Sequence, residues 1–342
     1  MTDTRPSAAP ASSTPLTYAR SPVPTPLGIA IHLGWLNGDW SENGVAIRSA
    51  QSGVALADRV SQNEHMLANS FFQGGSIPAM WARSRGADTR VIGLSWIDET
   101  QQIVTLASSG IQGVKQLRSR RLGLPLRQHD TIDVNRATAL RGFLNALSLE
   151  GLTARDVEFV DIDAHAVPNA TPYLRDIEAL RAGTVDAIYV KGAHGELAVR
   201  GSAYRCVIDL GFHPDPLVRN NNGTPRPLTV NGAVLKNFPD LVDGFLRLIA
   251  AAGDWARVHQ RETLEFVSRE AGAPVTAVQS AYGNRLHLHL GIDLAQGSIE
   301  ALGTFGHFLF EHGYLPTAFS VADWIHPGPL ARVDALRNAR SA

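Results

Sequence analysis

Apolar and polar positions change period repeatedly along this chain. Short apolar runs of strand length alternate with segments in which apolar residues recur every three or four positions. Residues 45–47, 66–72, 89–97 and 103–107 read as strands, and so do 121–125, 157–162, 185–190, 206–210 and 229–235. Residues 27–36 alternate imperfectly, and a strand fits them as well as a helix does. Helical spacing covers 54–65, 76–85, 173–182, 239–260, 261–271, 275–282, 298–313 and 321–324. A long helix is expected over 133–150, with Leu140, Phe143, Leu144 and Leu147 along one stripe. Strands alternating with helices predict an α/β fold with mostly parallel sheets.

One stretch stands out for chemistry: Phe71-Phe72-Gln73-Gly74-Gly75-Ser76-Ile77-Pro78. It reads as a strand end, a two-glycine turn and a helix start, with Ser76 as N-cap and Pro78 in the first turn. A helix that opens behind two glycines presents free backbone N–H groups with nothing bulky in the way, which suits an anion. Gln73, Gly74, Gly75 and Ser76 are therefore candidate ligand contacts.

Composition narrows the class. The chain has 342 residues, enough for two domains, with 44% apolar and 18% charged residues and a net charge of −1. No basic run suggests a nucleic-acid groove; the cluster Arg118-Ser119-Arg120-Arg121 reads as a solvated helix end. Cys206 is the single cysteine, so no internal disulfide and no cysteine-based zinc site is expected, and its apolar surroundings suggest a buried strand. His287 and His289 alternate with leucines, so on a strand they would share a face. With no carboxylate at a diagnostic spacing they read as structural, and no metal is expected. Residues 1–16 are rich in Pro, Ser, Ala and Thr and read as a disordered arm without the apolar core of a signal peptide. A cytoplasmic location is expected if Met1 is the true start, and a periplasmic one only if the start lies upstream. Nothing is long and apolar enough to insert into a membrane. The Pro/Asn/Gly-rich stretch 212–228 reads as a crossing between domains.

The order of elements resembles the periplasmic-binding-protein type II fold, in its sulfonate, nitrate and taurine branch. The resemblance rests on Gly74-Gly75-Ser76-Ile77-Pro78 leading to Trp81, on Ile111 to Leu117 leading to Arg121-Leu122-Gly123, on Ala179-Leu180-Arg181-Ala182-Gly183-Thr184-Val185-Asp186-Ala187, and on Phe310-Glu311-His312-Gly313-Tyr314-Leu315. It covers about residues 17–326. It implies two α/β lobes with a ligand cleft between them: a discontinuous lobe 1 (17–108 plus 226–342) and a lobe 2 (109–225), closing by a hinge motion.

Within that fold the chain is similar to the hydroxybiphenyl-sulfinate desulfinases, through Thr17-Tyr18-Ala19-Arg20-Ser21-Pro22-Val23-Pro24, Gly74 to Ala79 and Arg90-Val91-Ile92-Gly93-Leu94. That family's nucleophilic cysteine corresponds to Ser21, its arginine to Phe72, its glycine to Gly75 and its histidine to His65, with a shorter spacing to the glycine pair here. A serine hydroxyl is neither ionised near neutral pH nor soft, and needs a positioned base. Loss of the arginine removes a bidentate clamp for an oxyanion. The resemblance further implies that Thr131 and Arg136, at the start of the long helix, face the cleft, with Arg136 as a replacement cation. Thr229, Asn231 and Gly232 on the returning strand are expected there too.

Two functions follow as expectations. The first is binding of a small organic anion (a sulfonate, sulfinate or aryl carboxylate) in the manner of a transporter's substrate-binding protein. The second is a desulfinase-like hydrolase using Ser21 and His65. No cofactor, nucleic acid or membrane partner is expected, a permease partner only if the protein is exported, and the chain is expected to be a monomer.

Overall fold

The chain begins with β1 (Leu16–Arg20), α1 (Pro26–His32), β2 (Trp40–Glu42), β3 (Val45–Ser49), β4 (Ser70–Gln73), α2 (Ser76–Ser84) and β5 (Thr89–Ser95) in the computed structural model. A middle section follows: β6 (Gln101–Leu106), β7 (Arg121–Leu126), α3 (Val134–Leu149), β8 (Glu158–Asp163), α4 (Leu174–Arg181), β9 (Ile188–Lys191), α5 (Gly192–Ala198), β10 (Tyr204–Asp209) and α6 (Pro216–Arg219). The chain then returns through β11 (Arg226–Asn231), α7 (Gly232–Asn237), α8 (Pro239–Val258), α9 (Gln260–Ala271), α10 (Val275–Tyr282), α11 (Gln296–Glu311), α12 (Val321–Trp324) and α13 (Gly328–Ser341). The structure describes residues 16–36, 40–42, 45–50, 69–127, 131–164 and 171–341.

The molecule is a two-lobed α/β protein. In the first lobe a six-stranded sheet has the order β2-β3-β1-β4-β11-β5. β1 runs parallel to β3 and β4, while the returning strand β11 enters antiparallel to both β4 and β5. β6 lies between β10 and β9, antiparallel to both, so this strand, expected within lobe 1 (17–108), sits in the sheet of the second lobe; β7 pairs in parallel with β8. A parallel bridge from Leu122 to Ala187 joins these two small sheets. Antiparallel pairs thus outnumber parallel ones among the described strands, against the expectation of mostly parallel sheets. Residue patterns mark strands, but their direction follows from where each chain crossing enters.

Both faces of the first sheet are covered. Phe71, Ile92, Leu228 and Val230 face a core completed by α1, α8 and α10, where the rings of Phe71 and Phe245 lie 4.3 Å apart. Ile77, Val91 and Leu94 belong to the core on the side of α2, α11 and α12, and Ile132 and Ala137 beside α3 join it from the second lobe. Separate cores fill the second lobe, around Phe143 and Leu122 and around Ile188 and Leu180.

Several local expectations change. Residues 26–32 are helical because Thr25 accepts the Gly28 N–H at 3.0 Å and Pro26 opens the first turn, so capping overrides the alternating pattern. β11 ends at Asn231 and a helix starts at once, because the Asn231 side chain caps it. Gly75 is the N-cap of α2, and Ser76 is its first helical residue. His287 lies in a 3-10 turn (Leu286–Leu288) with His289 just after it, so the shared strand face does not exist. Cys206 is exposed, not core filler: β10 is the edge of its sheet.

The crossing predicted at 212–228 starts exposed, with Phe212 and Leu217 at the surface, and becomes a buried seam from Asn220 onward. Asn220 donates to the Ala301 carbonyl of α11, in the first lobe, at 2.5 Å. Asn221 donates to the Thr138 carbonyl of α3 at 3.0 Å and to Tyr189 and Gln101, all in the second lobe. Asn222 turns back to α2. Consecutive asparagines therefore fasten alternate lobes, and both Asn220 and Asn221 are fully buried.

Candidate anion site at the amino end of α2

β1 and β4 end side by side, and Ser21 N–H donates to the Gln73 carbonyl at 3.1 Å. Side chains alternate across the sheet, so Arg20 and Ser21 leave on opposite faces. Arg20 is buried and clamps Glu270 through two bonds of 2.7 and 2.9 Å. Ser21 points the other way, over Gly74: a Cβ at Gly74 would collide with the Ser21 hydroxyl and stand 2.8 Å from the Phe72 ring. Among the described residues the Ser21 hydroxyl has no hydrogen-bond partner.

The helix that follows opens as the glycine pair requires. Gly75 at the N-cap has no side chain to close the first turn. Its space is filled from outside by Asn222, whose Oδ1 would lie 2.6 Å from a Cβ at Gly75 and accepts the Ile77 N–H at 3.1 Å. The Ser76 hydroxyl is fully buried and has no partner among the described residues. Such an orphan is costly unless something else satisfies it.

Asn222 also ties this helix end to a buried charge cluster. Its backbone carbonyl accepts from Lys191 Nζ at 2.6 Å, and the same ammonium lies 2.8 Å from Glu99 Oε1. Arg226 approaches Glu99 Oε1 at 3.3 Å, while its Nε and Nη1 stay buried without a partner among the described residues. Burial pushes the Glu99 carboxyl up, but the Lys191 and Arg226 charges outweigh it and hold the group below its ordinary range. Two cations against one carboxylate leave the cluster with one positive charge in excess. Tyr173 packs beside it, its hydroxyl accepting the Lys191 N–H at 3.1 Å, and burial raises that phenol's pKa.

The residues expected from sequence separate into two groups. Ser21, Gly74, Gly75 and Ser76 come together around the start of α2, with Thr229 beside Phe72 in the register of β11 and β4. The others go elsewhere. The Gln73 side chain is fully buried; it accepts from the Leu27 N–H at 3.1 Å and donates to Ser95 at 3.2 Å, so its amide is spent on structure. Thr131 is exposed ahead of α3. The Arg136 guanidinium pairs with Asp161 at 2.8 Å and reaches the Pro125 carbonyl at 3.3 Å. Asp133 caps α3 by accepting the Arg136 N–H at 2.9 Å, so that helix carries its own anion. Asn231 accepts the Ala233 N–H at 3.0 Å, and Gly232 is packed against Asp88, both at the far end of β11 from Ser21. His65, with His129 and Asp130, lies outside the described residues.

Sequence reasoning did not single out Asn222, Lys191, Glu99 or Arg226. Three consecutive asparagines inside a supposed loop were the available signal, since a run of amides is costly to bury without partners. Among the described residues no cluster of His, Cys, Asp and Glu could hold a metal ion, and no helix is long and apolar enough to cross a membrane.

This architecture is found in solved structures. The desulfurization enzyme DSZB superposes with a TM-score of 0.71 at 20% identity, covering 94% of this chain and 99% of that one. A DSZB mutant in complex with biphenyl-2-sulfinic acid gives 0.69 at 22% identity, over 93% and 98% of the two chains. The periplasmic aliphatic sulphonate binding protein SsuA from Escherichia coli gives 0.64 at 14% identity, over 92% of each. No protein-family model matches the chain, and no curated protein matches it either. The likeness is one of fold: two α/β lobes arranged as in the sulfonate-binding proteins and the desulfurization enzyme.

Proposed function

We propose that this protein binds a small organic anion carrying one negative charge, a sulfonate, sulfinate or aryl carboxylate, at the amino end of α2 between the lobes. The observation that carries the reading is the unpartnered, fully buried Ser76 hydroxyl on a glycine-opened helix end. Such an end favours negative charge. The excess positive charge of Lys191 and Arg226 over Glu99 supports it, because a monoanion would balance the cluster. An anion oxygen reaching the Ile77 N–H takes the place of the Asn222 carboxamide, and Phe72 supplies an apolar wall for a ring. Neighbours in fold that bind aliphatic sulphonates or biphenyl-2-sulfinic acid agree with this ligand class.

Hydrolysis is the second reading, favoured by the position of the Ser21 hydroxyl over Gly74, beside the helix end. It would convert an aryl sulfinate and water into the arene and hydrogen sulfite. Calorimetric titration with benzenesulfonate, biphenyl-2-sulfinate and benzoate, followed by product analysis, tests both. Binding with the ligand recovered unchanged supports the receptor. Sulfite release that is lost in Ser21→Ala replaces it with the enzyme, and no binding by any of the three overturns the anion site.

A further inference from the structure

A recess lies away from the α2 site and shares none of its residues. It is a cavity of about 410 Å³ between α5 of the second lobe and α10 of the first, floored by β6 and β10. We propose that it binds a small zwitterion, an ammonium and a carboxylate on one short scaffold, as in a free amino acid.

The charges lining the cavity lead to that class. Arg200, just past α5, is exposed and has no partner among the described residues. One turn earlier on the same wall, Glu196 accepts from Gln102 Nε2 at 2.7 Å and makes no ion pair with Arg200. Two opposite charges that line one recess without pairing with each other make an open polar clamp. A plain anion would be drawn to Arg200 but repelled by Glu196, with Asp209 close enough to act on the same carboxyl. A plain cation would meet the reverse. A zwitterion satisfies both ends at once, its carboxylate on the guanidinium and its ammonium on the carboxylate.

The remaining walls agree. Thr276 and Ser280, one turn apart on α10, offer hydroxyls to a polar backbone, while Val104 on the floor offers an apolar contact for a side chain. Cys206 also lines the recess. Although Cys206 is exposed, partial desolvation by the recess walls, then the Asp209 and Glu196 carboxylates, pushes its thiol up to about 11, so it stays neutral and serves as wall rather than nucleophile. The volume falls within the range of small-ligand pockets, about 300–1,000 Å³. Both lobes contribute walls, so an occupant would touch each.

Calorimetric titration of the intact chain with the standard free amino acids, with acetate and ethylamine as monofunctional controls, tests the proposal. At least one amino acid should bind in the millimolar range or tighter, and both controls should fail. Arg200→Ala and Glu196→Gln should each weaken that binding by about tenfold or more, the scale of one charged hydrogen bond. Ser280→Trp should abolish it by filling the space. Arg200 and Ser280 are exposed, so their variants should keep the wild-type melting temperature. Failure of every amino acid to bind overturns the proposal. So do controls that bind as well as amino acids, or binding that survives both charge variants. Benzenesulfonate, titrated into the same variants, reports on the α2 site independently.

Discussion

The Asn222 side-chain oxygen accepts the Ile77 N–H at 3.1 Å, so a residue of the interlobe seam caps a helix of the first lobe. A neutral carboxamide sits where the helix end would favour an anion. Asn222→Asp puts a resident carboxylate there. That variant should hold or raise the melting temperature and weaken benzenesulfonate binding by about tenfold or more, since the site is already neutralised. Asn222→Ala should do the opposite: a stability loss of about 1 kcal/mol for the lost cap, with anion binding retained. Paired thermal melts and titrations check both. Equal losses of affinity in the two variants would mean that Asn222 holds the ligand and does not give way to it.

The glycine pair is required by space, not by backbone conformation. Gly75 has φ −58° and ψ 147°, values any residue adopts. A Cβ there would nevertheless stand 2.6 Å from Asn222 Oδ1, and one at Gly74 would run into Ser21. Gly75→Ala should destabilise the chain by about 1–3 kcal/mol, the cost of overpacking a filled site. Combining it with Asn222→Gly should recover most of that loss, because the obstructing side chain is gone. Urea unfolding of the single and double variants measures the coupling.

Local turn chemistry explains why the start of α2 was legible in the sequence. A strand end, two glycines and a helix start lie within one short stretch, and the two-lobed α/β plan was carried by several such stretches. The charge cluster was not legible, because Glu99, Lys191, Asn222 and Arg226 meet only when both crossings are folded between the lobes. Gln73 misled for a related reason. Its neighbours in sequence surround the start of α2, where an anion site is proposed, but the strand alternates, and its side chain leaves on the face of Leu27 and Ser95. Arg136 was correctly placed near a helix start, yet nothing in sequence shows Asp161 waiting across the sheet.

Among the described residues Glu99 is the one carboxylate facing the buried Arg226 and the half-buried Lys191, and removing its charge should be severe. Glu99→Gln leaves Lys191 and Arg226 without their carboxylate, at a cost of about 3–5 kcal/mol. The same pairing gives a pH signature. The folded pKa of Glu99 lies below its ordinary 4.5, so its stabilisation is complete above that value and lost as pH falls through the folded one. Wild-type melting temperature should therefore drop on acidification below about pH 4.5, and the drop should be shallower in Glu99→Gln. Parallel slopes in the two proteins would remove Glu99 from the acid response.

Asp176 predicts the reverse dependence. It lies buried in the first turn of α4, and burial, only partly offset by its own backbone N–H and by Arg127, pushes its carboxyl up to about 6. A carboxyl with a raised folded pKa holds its proton more tightly in the folded chain than in the unfolded one. Its cost is therefore absent in acid, grows as pH rises from the ordinary 3.8 through 6, and is complete above that. A shift of about two units corresponds to at most about 3 kcal/mol. Asp176→Asn keeps the shape and removes the charge, so above about pH 7 it should be more stable than wild type. Below about pH 3 the two should melt together, because Asp176 is then protonated in both states. The crossover distinguishes relief of a buried charge from a general packing effect, which would shift stability equally at every pH. Melting temperatures of both proteins from acid to neutral pH decide it. If Asp176→Asn is less stable at neutral pH, the carboxylate is held by Arg127 strongly enough to outweigh its burial.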